Sequence, residues 1–344
     1  MNLLTNYGYT AGEEHSPYTV ARITAEHRER YELIGEQGAF FGRLKSSEYY
    51  SEAPKVFPTV GDFVLVDMNS SGDSRIVETL PRRSVFERPD PSYGRKRPQA
   101  VAANFDYVFI VLALNRDFNE KKLTRYLTLS WQSGAEPVVV LTKLDLHEEG
   151  YERMISAAED AAFGAAVCAV SSVTGEGIEA LRSILQPGKT AALLGSSGAG
   201  KSSLVNALSG KVLMKTGEVR EDDDRGRHTT TYRQLLRLPS GAMLIDTPGM
   251  RELGMWDVTE GLSMPFEDIS ELAEYCRFKD CRHEKEPGCA VLKAIEDGEL
   301  SEKRLIQYKK LKKEARYSED SAEYIKKRTE IRKKIARENR IGRK

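Results

Sequence analysis

The sequence has no apolar run long enough to cross a lipid bilayer. The longest, YVFIVLAL at residues 107–114, spans eight residues, whereas a membrane helix needs about 20. The first residues, MNLLTNYGYTAGEEHS, lack the basic segment and apolar run that are typical of a secretory signal. We therefore expect a soluble, cytoplasmic protein without a membrane partner.

Cysteine is also scarce. The sequence contains Cys168, Cys276, Cys281 and Cys289, and the last three lie within fourteen residues. In a cytosolic protein such clustering favours metal binding over disulfides. Cys168 lies in the apolar stretch AAVCAVSS, where we expect a small buried residue.

The formal net charge is zero, but the charged residues are unevenly distributed along the chain. Residues 301–344 carry seventeen Lys/Arg against seven Asp/Glu, whereas the first 300 residues carry 35 against 45. A basic tail of this kind suits a polyanion such as RNA and predicts binding that weakens with salt. The alternative is a solvated helix held by its own salt bridges.

Length and hydrophobic content indicate a protein of more than one domain, with enough apolar residues to form buried hydrophobic cores. A chain of 344 residues suits two or three domains. Residues 1–87 contain five short alternating segments, which predict an OB-type β-barrel, although a generic β module is an alternative. These segments are YTVARITAEH, RYELIGEQ, AFFGRLKS, GDFVLVDM and SRIVETLP. Residues 88–104 are rich in proline and charge, which predicts a linker.

The pattern changes between residues 105 and 255. Continuous apolar segments alternate there with helical stretches, and this alternation is typical of a buried parallel sheet with crossover helices. The apolar segments are YVFIVLAL, PVVVLT, AAVCAVSS, TAALLG and AMLIDTPG. Residues 256–344 read as mainly helical around the cysteine cluster.

A phosphate-binding loop follows the apolar segment TAALLG. The stretch GSSGAGKS fits G-x-x-x-x-G-K-S and precedes a helical segment. Its backbone N–H groups would face the phosphates, Lys201 would reach the β- and γ-phosphates, and Ser202 would bind magnesium. The predicted nucleotide-binding residues are Gly195, Ser196, Ser197, Gly198, Ala199, Gly200, Lys201, Ser202 and Ser203.

Two further motifs are typical of GTPase switches. In LIDTPGM, Asp246 ends a strand and could hold magnesium, while the Gly249 N–H could sense the γ-phosphate. The Thr-rich segment HTTT precedes a strand, and one of its hydroxyls could bind magnesium when the γ-phosphate is present. Thr230 is the first candidate and Thr229 the second; an ordinary Thr-rich strand start is the alternative.

The motif TKLD predicts guanine specificity. It follows the apolar run 138–141 and contributes Thr142, Lys143 and Asp145. The Asp145 carboxylate can accept guanine N1–H and the 2-amino group, donors that adenine lacks. The Lys143 stem can cover the base. A backbone N–H at Ser171 or Ser172, in the second base motif VSSVTGEG at residues 170–177, can donate to guanine O6.

These motifs occur in an unusual order. TKLD precedes the phosphate loop by about fifty residues, so both base-recognition motifs come before the phosphate loop and the switches. A circular permutation explains this order, and it is tolerable because domain termini often lie close together.

The clustered cysteines predict a zinc site. Cys276, Cys281, His283 and Cys289 follow the spacing C-x4-C-x-H-x5-C. Three thiolates and one imidazole complete a tetrahedral set, which predicts one structural Zn²⁺ because no position remains for water. The alternative is three free thiols and a surface histidine.

Together these motifs resemble the RsgA (YjeQ/YloQ) family. The resemblance rests on the barrel, TKLD before GSSGAGKS, then HTTT, DTPG and the Cys-Cys-His-Cys cluster. It implies a GTPase that acts in late maturation of the small ribosomal subunit, is stimulated by the 30S particle, contacts 16S rRNA and uses Mg²⁺ with GTP. We expect a monomer. The alternative is an RNA-binding protein in which GTP is a structural or regulatory ligand with little turnover.

Two positions depart from common GTPase patterns. Thr142 stands where Asn is commoner, so we expect looser contact with the phosphate loop. Met250 follows D-x-x-G, where many GTPases have the Gln that orients the attacking water. We therefore predict that His228, in the loop before Thr230, positions this water once the loop is ordered. The alternatives are that His228 contacts only RNA or solvent and that the ribosome supplies the group.

Overall fold

A computed structural model describes most of the chain before residue 310. The described residues are 3–10, 17–27, 30–44, 57–89, 98–115, 118–146, 151–162, 164–214, 233–246, 266–302, 304–306 and 308–309. The chain divides into two units, Met1–Gly254 and Met255–Lys344. No helix within the described ranges has the length and apolar character needed to cross a membrane.

The first five strands close into a barrel, as the sequence predicts. They are β1 Thr19–Glu26, β2 Tyr31–Gly35, β3 Gly38–Arg43, β4 Phe63–Asp67 and β5 Ser74–Thr79. Their pairing order is β1-β2-β3-β5-β4, and β4 pairs back onto β1. The inward residues Ala21, Ile23, Leu33 and Val64 are fully or almost fully buried, as the alternating pattern requires.

A mostly parallel sheet with crossover helices follows. Its strands are β8 Tyr107–Ala113, β9 Glu136–Thr142, β10 Ala166–Ala169, β11 Thr190–Leu194, β12 Arg233–Arg237 and β13 Met243–Asp246. Its helices are α1 Glu120–Gln132, α2 Tyr151–Ala162, α3 Ile178–Ile184 and α4 Lys201–Ser209. The strand order is β10-β9-β8-β11-β13-β12, with only β12 antiparallel to its neighbour.

The strand order reverses between β8 and β11. From β8 the chain builds outward through β9 to β10, then returns to place β11 on the free side of β8. In open α/β sheets ligands bind outside the carboxyl ends of the strands at such a reversal. The phosphate loop follows β11 at this point.

The barrel and the α/β layer share one sheet. Strand β1 pairs with β12 through Ala25↔Gln234 and Glu26↔Arg233, just beyond the part of β1 that pairs with β4. One hydrophobic cluster extends from barrel residues such as Ile23 to α/β residues such as Ile110. Consequently the two predicted domains lie in one continuous structural unit.

The predicted linker at 88–104 is partly a strand. Strand β6, Val85–Pro89, pairs antiparallel with β7, Pro98–Ala103. Ala102 and Ala103 are fully buried, and the rings of Phe86 and Phe105 stack with centroids 4.8 Å apart. The proline and charge content of 88–104 is typical of a linker. Its apolar residues are mostly small alanines, so the sequence does not indicate a hairpin.

Among the described residues of the second unit, one helix precedes the cysteine cluster and another follows it. These are α5 Glu267–Glu274 and α6 Ala290–Glu296. Phe266 and Ile269 are fully buried, and Tyr308 packs edge-on against Phe266 at 5.5 Å. Arg304 Nη2 donates to Asp268 Oδ1 at 2.7 Å. Most of the basic tail lies outside the described residues.

A buried arginine ties the barrel to the α/β layer. Arg22, on β1, is completely buried and donates to the carbonyls of Tyr7 at 2.5 Å and Asn104 at 2.7 Å. It also donates to Gly61 O at 3.2 Å and to Thr190 Oγ1, at the start of β11, at 3.1 Å. Burial lowers the pKa of Arg22 to about 9, so the guanidinium stays charged at neutral pH.

Replacing Arg22 should loosen this joint. Arg22→Met removes the guanidinium hydrogen bonds to three carbonyls, and we expect it to reduce the free energy of unfolding by about 3–5 kcal/mol. Arg22→Lys should be intermediate, because an ammonium reaches fewer of the carbonyls. Urea denaturation of the parent and both variants measures the change.

The matched control is Arg75→Met. Arg75 forms an exposed ion pair with Asp67 at 2.9 Å, and its loss should cost less than about 1 kcal/mol. Equal losses for Arg22→Met and Arg75→Met would contradict the role assigned to Arg22.

Candidate nucleotide and metal sites

The phosphate loop lies directly against the sheet. It joins β11 to α4 and contains Gly195, whose Cα approaches β8 so closely that an added Cβ would come 2.4 Å from Val111 O. Gly200 precedes α4 with a φ of 87°, a conformation that favours glycine. Lys201 Nζ donates to the carbonyls of Gly195 and Ser196 at 2.8 and 2.7 Å. These bonds hold the ammonium over the loop that would cradle the phosphates.

Thr142 connects the base motif to the phosphate loop. Its buried hydroxyl Oγ1 donates to Ala199 O at 2.6 Å, although the two residues are 57 positions apart. Lys143 follows with a φ of 65°. Thr142 thus retains direct contact with the loop, whereas the departure from Asn led us to expect a looser one.

Asp145 is held by a serine from the second base motif. Ser171 Oγ donates to Asp145 Oδ1 at 2.6 Å and accepts from the backbone N–H groups of Val173 and Thr174 at 3.2 and 3.0 Å. Ser171 is buried, whereas Asp145 is exposed, so the carboxylate is oriented yet open to a ligand. The sequence pattern did not indicate this role for the Ser171 hydroxyl.

The same geometry separates the two candidate donors to guanine O6. The Ser171 N–H already donates to Glu176 O at 2.9 Å. Ser172 is therefore the better candidate to donate to a base. Ser172 and Ser203 also line one cleft of about 410 Å³, which brings the second base motif next to the first turn of α4.

Asn206 organises one wall of this cleft, a role that no sequence pattern indicated. Its Oδ1 accepts from the backbone N–H groups of Leu213 and Met214 at 2.8 and 2.9 Å, and its Nδ2 donates to Met214 O at 2.8 Å. The exposed Val212 lies on the same wall. The side-chain amide of Asn206 forms the hydrogen bonds that a backbone peptide group would form, and this role is evident only in the folded chain.

The predicted magnesium ligands are described only in part. Asp246 ends β13 and is 9% exposed; its strand pairs with β11, which leads into the phosphate loop. Ser202 is the second residue of α4 and is half-buried. These positions suit a cation beside the phosphates. His228, Thr229, Thr230, Gly249 and Met250 lie outside the described residues, so their roles stay predictions.

The four predicted metal ligands converge in the second unit. The ligand atoms of Cys276, Cys281, His283 and Cys289 all lie within 4.8 Å of one another. Cys276 Sγ is 3.8 Å from Cys289 Sγ, and His283 Nδ1 is 3.3 Å from Cys289 Sγ. Zinc–sulfur bonds of about 2.3 Å place tetrahedral sulfurs about 3.8 Å apart, so this donor set fits Zn²⁺.

The local environment lowers the pKa of one thiol of this cluster, Cys276, whereas burial raises the pKa of Cys281 to about 11. At Cys276 burial opposes ionisation, but hydrogen bonds from the backbone N–H groups of Ala290 and Val291 outweigh it and lower the pKa of the thiol. Cys289 Sγ caps α6 and accepts from Leu292 N at 3.5 Å. His283 is buried, so the set is closed toward solvent on one side, as suits a structural metal.

Comparison with known proteins gives one consistent match. The family model described as RsgA GTPase matches residues 79–256. The small ribosomal subunit biogenesis GTPase RsgA 1 of Listeria innocua is 43% identical over 319 residues, covering 92% of this chain and 90% of that protein. The RsgA of Streptomyces avermitilis is 46% identical and covers 90% of this chain and 85% of that protein.

Solved structures give the same match. YjeQ from Thermotoga maritima superposes with a TM-score of 0.65 at 26% identity, covering 87% of this chain and 98% of that one. YloQ, described as a circularly permuted GTPase, superposes with a TM-score of 0.63 at 27% identity, covering 89% and 98%. The predicted fold class is confirmed: an N-terminal OB-type barrel, a permuted α/β domain and a C-terminal helical region whose Cys₃His cluster is compatible with a zinc site.

Base specificity should depend on Asp145. Asp145→Asn replaces an acceptor by an amide, and we expect GTP affinity to fall about 10²–10⁴-fold, because two charge-assisted hydrogen bonds contribute about 1.5–3 kcal/mol each. Xanthosine triphosphate, whose 2-oxo group suits an amide donor, should gain affinity. Equilibrium binding of both nucleotides tests this, with Asp160→Asn, on an exposed site of α2, as control. Parental GTP affinity in Asp145→Asn would exclude TKLD as the base site.

The metal should stabilise the second unit alone. Removing the metal, or making Cys281→Ala, should unfold residues 256–300 while GTP binding persists, since a closed Cys₃His site contributes folding energy. Limited proteolysis and metal analysis measure the two effects. Cys168→Ala is the control, because Cys168 lies in β10 of the first unit and is not one of the four converging ligands. A protein that is equally stable without stoichiometric zinc would refute the prediction.

Proposed function

The chain belongs to the RsgA GTPase family and is therefore a GTP hydrolase, and on that basis we propose that it acts on the small ribosomal subunit. In this proposal it binds the 30S particle in the cytoplasm during late maturation, contacts 16S rRNA and works as a monomer. Hydrolysis of GTP to GDP and phosphate is stimulated by the particle and ends the binding cycle. The relatives are named as small ribosomal subunit biogenesis GTPases.

The contact between Thr142 and Ala199 is the observation that best supports a guanine nucleotide site. It brings a motif suited to guanine and a motif suited to phosphates to one edge of the sheet. Ser171 orients Asp145 toward the base edge, and Lys201 lies over the loop. A nucleotide that spans both motifs would be fixed at its base and its phosphates, which is the positioning that phosphoryl transfer requires.

The chain's own residues supply most of the chemistry in this proposal. The loop N–H groups and Lys201 stabilise charge on the β- and γ-phosphates. Ser202, Asp246 and Thr230 would hold magnesium, which neutralises charge on the transferring phosphoryl group. His228 would position the attacking water, because Met250 cannot.

The barrel offers a surface suited to RNA. The Arg30 guanidinium lies 3.6 Å from the centroid of the exposed Phe41 ring. Arg43 and Arg75 stand opposite each other across β3 and β5. An exposed aromatic ring with a guanidinium packed on it suits unpaired bases and phosphates. Asp73 bridges Arg30 and Arg43, so this surface is ordered before RNA binds.

His228→Ala tests the catalytic part of the proposal. We expect GTP affinity and 30S binding to persist while stimulated phosphate release falls about 10²–10⁴-fold, as for a lost proton-transfer or positioning group. His27→Ala is the control, since His27 pairs with Glu32 in the barrel at 2.9 Å. Phosphate release is measured with and without 30S subunits.

Two results would contradict this proposal. Near-normal stimulated turnover in His228→Ala would exclude His228 and point to a group supplied by the ribosome. Parental protein whose phosphate release does not respond to 30S subunits would instead favour an RNA-binding protein with GTP as a structural ligand.

A further inference from the structure

Strand β12 lies between the barrel and the strand that carries Asp246. On one side Arg233 and Gln234 pair with Glu26 and Ala25 of β1. On the other side Gln234 pairs with Asp246 itself. Strand β12 also begins directly after the segment that the sequence predicts as the first switch. One short strand therefore contacts the barrel and the candidate magnesium ligand at consecutive positions.

An ion pair reinforces the barrel side of this strand. Arg233 Nη1 lies 3.0 Å from Glu26 Oε2, and the two side chains are only 14% and 24% exposed. Thr59 Oγ1 donates to the same carboxylate oxygen at 3.2 Å. Restricted solvent access makes such a pair stronger and more geometrically defined than a surface pair.

The joint between β1 and β12 is short. Among the residues that the structure describes, two pairs connect β1 to β12, whereas four connect β12 to β13. The side-chain contact between Glu26 and Arg233 adds to this short link between the barrel and β12. Strand β13 in turn pairs with β11, the strand that leads into the phosphate loop. The path from the barrel to the phosphate loop thus crosses three hydrogen-bonded strand pairs.

We infer that Glu26 is a positioning residue that couples the barrel to the GTPase machinery through Arg233. The pair fixes the start of β12, so that a particle docked on the barrel acts, through Gln234, on the position of Asp246. This inference rests on the proposed function. Glu26 is a barrel residue, remote in sequence from every nucleotide motif.

The test separates coupling from folding and binding. In Glu26→Gln and Arg233→Met we expect GTP affinity, intrinsic turnover and 30S affinity to stay within about twofold of the parent, while 30S-stimulated turnover falls about tenfold. Arg233→Lys, which keeps the charge, should retain most of the stimulation. The double variant should be no worse than either single variant, because both remove one interaction.

Glu32→Gln is the matched control. Glu32 is a partly exposed glutamate on β2 of the same barrel, and its carboxylate contacts the His27 imidazole at 2.9 Å. Its stimulated turnover should match the parent. The inference is overturned if Glu26→Gln keeps parental stimulation, or if it loses intrinsic turnover and GTP affinity in parallel with stimulation, since that would indicate a purely structural role.

Hydrogen exchange tests the coupling in the free protein, independently of the ribosome. Exchanging GDP for a non-hydrolysable GTP analogue should change the exchange rates of β1 amides about threefold in the parent and leave them unchanged in Glu26→Gln. A lack of 30S stimulation in the parent would refute the proposed function alone. Nucleotide-independent exchange in the parent, or the parental response in Glu26→Gln, would refute the coupling.

Discussion

The buried guanidinium of Arg22 is the interaction on which the first unit depends. A charge without access to water must be solvated by protein groups, and here the carbonyls of Tyr7, Gly61 and Asn104 do so together with the Thr190 hydroxyl. These groups come from the N-terminal segment, a barrel turn, the end of the hairpin and the start of β11. Satisfying one side chain therefore fixes β1 against the α/β layer, and that placement brings the end of β1 to β12.

The permuted order of the motifs has little effect on the site because the sheet determines where they meet. TKLD and the phosphate loop follow parallel strands, β9 and β11, whose carboxyl ends share one edge. The hydrogen bond from Thr142 to Ala199 joins them regardless of which comes first in the chain. Cutting and rejoining the domain moves the termini but keeps this edge.

Much of the fold could be predicted from the sequence, because barrel alternation, buried parallel strands and the metal spacing are local signals. The β6–β7 hairpin could not, since its small alanines resemble a linker. The carboxylate-holding role of the Ser171 hydroxyl, the amide of Asn206 and the burial of Arg22 also escaped prediction. Each depends on residues tens of positions apart, or on a backbone conformation that only the folded chain reveals. The ion pair of Glu26 with Arg233 joins residues 207 positions apart and belongs to the same class.

Nucleotide-dependent co-sedimentation with purified 30S and 50S particles is the most direct test of a guanine-nucleotide switch that acts on the small subunit. With a non-hydrolysable GTP analogue the protein should sediment with 30S particles, with GDP it should stay largely in the supernatant, and neither nucleotide should produce sedimentation with 50S particles. Equal sedimentation with GTP analogue and GDP, or a preference for 50S particles, would contradict that function.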